Sequence, residues 1–276
     1  MRRWIATTAI TLALSPVVAG SGPTAHARIA PLDPVGALQR QLVENRGVKI
    51  SKVYTTTVEG ERVKYWDKGV AEFGKGKIIA TDITFDSEVR WNPERIITFA
   101  GRSYRKDKTL VKVKGWLLDE NKAIRPALKA GWIEIANPVV LKAVLATTKV
   151  KRPAGVYDGT RTTLYQGTIT FGELHKASLA LPFGLDDNPH GRDTKIKVAW
   201  RLWLGEDQLV RRAVGTWSTT SRGRDEPTRS FVFDTHVTGW GAKTHITPPP
   251  ADEVVTWEDL AKPSPEDTSP PSLSGE

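Results

Sequence analysis

The chain has 276 residues, with 40 Lys and Arg against 31 Asp and Glu, for a net charge of +9 and no cysteine. The missing cysteine excludes disulfides, thiolate metal sites, a cysteine nucleophile and a lipidated-cysteine anchor, and the length suits one large domain or two small ones with a sizeable core. The basic excess favours an anionic partner such as an acidic membrane surface; the basic residues are spread along the chain and no nucleic-acid module is recognisable, so nucleic acid is not among the expected partners.

In chain order, Arg2-Arg3 is a basic pair and Trp4 to Leu14 an apolar stretch too short to cross a bilayer. Ser15-Pro16 breaks it, and Ala25-His26-Ala27 is a small-x-small cleavage site. That order predicts a secretory signal over 1–27, cleaved after Ala27, and a secreted or cell-envelope protein. No later stretch is long and apolar enough to span a membrane. Asp33-Pro34 opens a predicted helix to about Asn45. Asp caps it, proline fits the first helical position, Val35, Leu38 and Leu42 form the stripe, and Gly47 is the expected stop.

Strands follow. Val48–Val58, Arg62–Phe73 and Ile78–Phe85 are separated by turns at Glu59-Gly60-Glu61 and Gly74-Lys75-Gly76-Lys77. Alternation puts Ile79, Ile83 and Phe85 on one side and Asp82 and Thr84 on the other. Arg95–Ala100 and Ser103–Lys106 form a hairpin about Gly101. Asn137-Pro138 repeats the cap-and-proline opening before an aliphatic helix. Arg161–Thr170 is a strand, Phe171–Ser178 a short helical turn, and Lys195–Leu204 the clearest strand, with Ile196, Val198, Trp200, Leu202 and Leu204 facing one way. Leu209–Thr219 and Thr228–Trp240 complete the set. Over Val48 to Lys106 the connections are short enough to allow antiparallel neighbours only. The order helix, meander, helix, meander suggests a weak internal duplication. Lys262–Glu276, rich in proline, serine and acid, is expected to be disordered.

These elements predict an α+β domain over residues 28–261, an antiparallel sheet whose apolar face is covered by two or three helices. A sheet wrapped over helices leaves space for an apolar ligand, yet the same strand faces serve equally as closed core, and alternation does not separate the two.

Five segments taken in order carry a resemblance: Asp33-Pro34-Val35-Gly36-Ala37-Leu38; Gly69-Val70-Ala71-Glu72-Phe73-Gly74; Asn137-Pro138; Leu202–Arg212; and Thr247–Val254. Over about Asp33 to Leu260 the chain resembles the actinobacterial LppX, LprG and LprA branch of the LolA-like superfamily. The resemblance implies a curved antiparallel half β-barrel closed by helices, a hydrophobic cavity for acyl chains, glycolipids or lipoproteins, and no enzymatic activity. This chain lacks the lipobox cysteine that usually anchors the envelope members. By position, Leu141, Val144 and Leu145 are the expected helix wall of such a cavity, and Ile79, Ile83, Phe99, Trp200 and Leu202 the sheet wall. The protein is then a monomeric, non-enzymatic carrier or sensor of an acyl lipid, with no cofactor, no metal and no catalytic residue. A protein-binding envelope or stress-sensor module on the same fold is the alternative.

A secreted hydrolase is a second alternative. Asp234 and His236 share a strand face with Ser230 and Thr238, opposite Phe231, Phe233 and Val237, so that face is expected to meet water. His190 with Asp186, Asp187 and Asp193 lacks the spacing of a calcium loop and reads as a polar loop.

Overall fold

The computed structural model describes residues 33–89, 92–106, 115–120, 127–178, 191–219 and 228–261. The expected signal over 1–27, the expected disordered tail over 262–276 and the loop with Asp186, Asp187 and His190 lie outside them.

Both cap-and-proline openings form helices. In α1 (Pro34–Gln41) the Asp33 carboxylate accepts from the Val35 and Gly36 N–H groups at 3.0 and 2.9 Å. In α2 (Pro138–Ala146) the Asn137 side chain accepts from Val139 and Val140 at 3.0 and 3.3 Å. The first helix ends four residues sooner than the apolar stripe suggested. Asn45 adopts a φ of 61°, and Gly47 is already in the following strand rather than stopping a helix. A Cβ on Gly47 would lie 2.4 Å from the Ala71 carbonyl oxygen, so its role is close strand approach.

β1 (Arg46–Val58), β2 (Glu61–Gly74), β3 (Lys77–Ser87), β4 (Glu94–Phe99), β5 (Arg102–Lys106) and β6 (Trp116–Glu120) form one antiparallel meander. Its first turn is tight because Glu59 and Gly60 both take positive φ. A second meander comprises β9 (Thr148–Tyr157), β10 (Thr160–Thr170), β11 (Lys197–Gly205), β12 (Val210–Thr219) and β13 (Arg229–Lys243). Within it, α3 (Phe171–Ser178) and a 3₁₀ turn at Gly191–Lys195 connect β10 to β11. The two meanders join where β1 pairs with β13, from Arg46 opposite Lys243 to Val58 opposite Arg229. The first and last long strands therefore lie side by side in the interior of the sheet. At the outer end of the first meander, β14 (Val254–Val255) runs parallel to β6, giving twelve strands in one open sheet.

Apolar residues at every second position bury one face of this sheet. Val48 and Ile50, Ala71 and Phe73, Val198, Trp200, Leu202 and Leu204 meet Leu38 of α1, Val140, Leu141 and Val144 of α2, and Leu174 of α3. A small ribbon, β7 (Lys129–Ala130) with β8 (Ile133–Glu134), lies in the same layer. It pairs with itself rather than with the large sheet, and Ala130 and Ile133 are fully buried. The opposite face is covered only locally. Ala80, Ile97, Tyr104 and Trp116 form a second cluster there, closed by Ile246 and Val254 of the C-terminal segment. That segment is pinned where the buried Glu72 carboxylate accepts from the Ile246 N–H at 2.7 Å.

Candidate functional site

The helix-covered face changes character along its length. Towards the Gly74–Lys77 turn it is aliphatic and sealed by the helices. Towards the Glu59-Gly60 turn it becomes aromatic. Tyr65 stacks on Tyr54 with ring centres 4.4 Å apart, Tyr54 on Phe233 at 5.1 Å, and Phe233 on Trp217 at 5.0 Å. Trp217 also stacks on Phe231 at 5.1 Å, meets Phe171 edge-on at 5.6 Å, and Phe171 touches Trp132 at 5.3 Å. The strand register makes this row: Tyr54 stands opposite both Tyr65 and Phe233, and Trp217 opposite Phe231. All but Phe171 are half-buried. The β7–β8 ribbon lies directly over the row. Gly131, at φ 65°, sits so close that a Cβ would be 2.2 Å from the Trp217 ring, and a Cβ on Gly215 would be 2.5 Å from the Ala130 carbonyl oxygen. One side-chain hydrogen bond ties the ribbon down, from the Thr235 hydroxyl to the Lys129 carbonyl at 2.8 Å.

Of the residues placed on the cavity wall by sequence, Ile83, Leu141, Val144, Trp200 and Leu202 are brought together in the buried layer, and Leu145 packs against them. Trp200 also donates its indole N–H to the Thr147 hydroxyl just past α2, at 3.0 Å. Phe99 and Ile79 are not with them. Ile83 pairs with Ile96, so Ile97 and Phe99 alternate so as to share the other face with Ala80, where Phe99 packs on the second cluster. A β-bulge shifts the register between Glu72–Ala80 and Phe73–Ile78. Ile79 is the extra residue, and Ile78 takes the core position instead. Ile79 lines an open hollow of about 330 Å³ together with Glu72, Lys75, Lys77 and His245, where the His245 ring nitrogen is 3.6 Å from the Glu72 carboxylate.

Sequence reasoning missed the aromatic row because stacking depends on register, which only the paired strands reveal. Phe231 and Phe233 were visible as the apolar side of their strand, but their partners were not. Lys52 was missed outright. It follows Ile50 on the covered face, is buried, and pairs with buried Asp67 directly across the β1–β2 ladder. Glu134, in the ribbon, is another buried charged residue. Burial raises its carboxyl above the ordinary range, against the Asn137 amide at 3.3 Å and the charge of Lys129, which pull it down.

On the outer face, Arg212 forms a two-pronged pair with Asp234 at 2.9 and 2.6 Å and donates to the Tyr157 hydroxyl at 2.8 Å. It also lies over the Trp203 ring, 4.7 Å from its centre. These bonds, led by Asp234, raise its pKa further. The His236 ring nitrogen is 3.4 Å from the same carboxylate. Ser230 is six strand residues from His236, roughly 20 Å away. Ser51 stands opposite His236 in register, yet no hydrogen bond joins them, and Asp234 is committed to Arg212. The group is a cross-strand clamp without the relay a hydrolase needs. Among the described residues no group of three or more Asp, Glu and His is placed to hold a metal ion.

No protein-family model matches the chain, and no curated protein does. Among solved structures it is similar to a DUF1329 family protein from Desulfovibrio piger, at 9% identity over 79% of this chain and 95% of that one, with a TM-score of 0.27. A LolA superfamily protein from Nitrosomonas europaea matches at 9% identity over 77% and 94%, with a TM-score of 0.28. The Pseudomonas aeruginosa MucA/MucB complex contributes a match at 10% identity over 74% and 94%, with a TM-score of 0.23. Likeness at this level says nothing of what this chain binds.

Proposed function

We propose that the chain is an exported, non-enzymatic binding protein of the LolA-like superfamily, in its actinobacterial LppX, LprG and LprA branch, that carries or senses an acyl-chain lipid between sheet and helices. The observation that carries this reading is the half-buried aromatic row continuing from the sealed aliphatic core. An apolar face that stays partly open is what an alkyl chain needs, and each methylene buried there adds about 0.8 kcal/mol. Ile83, Leu141, Val144, Leu145, Trp200 and Leu202 would back the chain; Phe99 and Ile79 would not touch it. In this reading residues 1–27 direct export, residues 28–261 act as one domain, and the sheet curves into a half-barrel around the ligand. Its supplier or acceptor is a membrane surface or a lipoprotein.

The alternative is a protein partner bound at an exposed sheet edge or on the outer helix face, and the edges give it little support. One edge strand, β14, is two residues long. The other, β9, carries Lys149, Lys151, Arg152 and Pro153, which discourage strand addition. Native mass spectrometry of the secreted protein, with solvent extraction and lipid analysis, tests the proposal. A stoichiometric added mass that extracts as an acyl lipid supports it. A clean apo mass that also refuses added lipid overturns it.

A further inference from the structure

The aromatic row and the aliphatic core meet at a pair of opposite charges. Lys52 follows Ile50 and precedes Tyr54 on the same face of β1, and Asp67 occupies the matching place on β2, between Gly69 and Tyr65. Their side chains are 8% and 7% exposed, and they touch each other directly. The ammonium also lies 5.7 Å from the centre of the Tyr54 ring. On the other flank Lys52 faces Thr235, which is fully buried and gives its hydroxyl hydrogen to the ribbon. Among the described residues neither Lys52 nor Asp67 has a further ion-pair or hydrogen-bond partner. The ammonium retains N–H groups to donate and the carboxylate lone pairs to accept.

A pair placed like this has a poor structural rationale. Desolvating two charges roughly cancels their attraction, and well-packed apolar residues usually serve the fold as well or better. What the pair offers, and apolar residues cannot, is a neutral couple of donor and acceptor at one point of an otherwise apolar sheet face. A ligand group that both donates and accepts fits it without leaving either charge unbalanced. A carboxylate or phosphate would compete with Asp67 for Lys52 and strand a charge in a low-dielectric site.

Resting on the lipid-binding reading above, we propose that Lys52 and Asp67 form the polar subsite of the groove, selecting an acyl ligand whose polar group is uncharged and both gives and receives hydrogen bonds. The alkyl chain lies along the aromatic row and the hydroxyl or amide meets the pair. Selectivity then comes from the penalty on charged heads, and affinity from the chain.

The test uses delipidated full-length protein and two probes of equal chain length, 1-monopalmitoylglycerol and palmitate, at pH 8, read by tryptophan fluorescence and calorimetry. The wild type is expected to bind the glyceride at least about tenfold more tightly. Asp67→Asn leaves the Lys52 charge uncompensated and is expected to reverse the preference towards palmitate. The double change Lys52→Met with Asp67→Leu removes both charges together and is expected to abolish the preference while the alkyl chain still binds. Equal binding of the two probes by the wild type, or a preference that survives the double change, overturns the subsite and leaves the lipid reading standing. Failure of both probes to bind overturns the lipid reading and this inference with it.

Discussion

Gly131 and Glu134 lie two and five residues past Lys129, the first residue of the ribbon that covers the aromatic row, and each makes the ribbon's fit conditional. The Glu134 carboxyl is raised chiefly by burial, with Asn137 and Lys129 opposing. A carboxyl whose pKa is higher folded than unfolded supports the fold fully only when protonated, below its ordinary value, and that support is lost as pH rises through the folded value. Glu134→Gln should therefore raise the melting temperature at pH 8, and the gain should shrink to nothing by about pH 3, where the carboxyl is protonated in both the folded and the unfolded wild type. Paired thermal melts at the two pH values decide it; a gain equal at both would remove burial of the charge as the cause. Gly131→Ala acts through shape. Its φ of 65° disfavours a Cβ, and that Cβ would meet the Trp217 ring at 2.2 Å. The expected loss is roughly 1–3 kcal/mol of stability, with a shift in tryptophan emission from the displaced ring. An unchanged emission spectrum would mean that the ribbon does not rest on Trp217.

At the scale of elements, the helix starts are written locally and were readable. Asp33-Pro34 and Asn137-Pro138 each place a capping oxygen and a residue that needs no donor at the point where the first N–H groups lack partners. The α3 start has a reciprocal box as well. The Thr170 hydroxyl accepts from the Glu173 N–H at 3.2 Å, and the Glu173 carboxylate accepts from the Thr170 N–H at 2.8 Å. Asn137→Ala should cost about 1 kcal/mol, more than its surface counterpart Asp33→Ala, because Asn137 is buried and also holds Glu134; chemical denaturation of both variants ranks them. The strands were legible where burial imposes alternation, as in Val198, Trp200, Leu202 and Leu204. β9 was not. An edge strand needs only one partner, and its Lys149, Lys151, Arg152 and Pro153 erase the period that betrays a strand. The misplacement of Ile79 and Phe99 has the same root. One bulge at Ile79 and one unseen register between β3 and β4 each reverse a face, and neither leaves a mark in the sequence.

Over the whole molecule, the C-terminal segment finishes what the sheet leaves open. Ile246 and Val254 close the cluster of Ala80, Ile97, Tyr104 and Trp116, and Glu253 reaches Lys106 at 3.7 Å. A chain ending at Lys243 should keep its far-UV spectrum, melt several degrees lower and bind a hydrophobic dye, whereas one ending at Ala261 should melt like the full chain. Equal melts for the two would show that the outer cluster contributes nothing to stability. The antiparallel sheet and its helix-covered face were visible from the apolar period and the turn residues. The apposition of β1 and β13 was not, because it joins residues about two hundred positions apart and no local rule encodes such a pairing. That apposition governs how the protein is made. As the polypeptide emerges from its N-terminus, β2 follows β1 closely, but the other side of β1 stays bare until β13, which begins about 170 residues after β1 ends, is synthesised. For most of its birth the molecule is an unfinished ribbon with a sticky rim at what will become its centre. Until β13 is made, the nascent chain keeps an unpaired strand edge that a holding chaperone must shield.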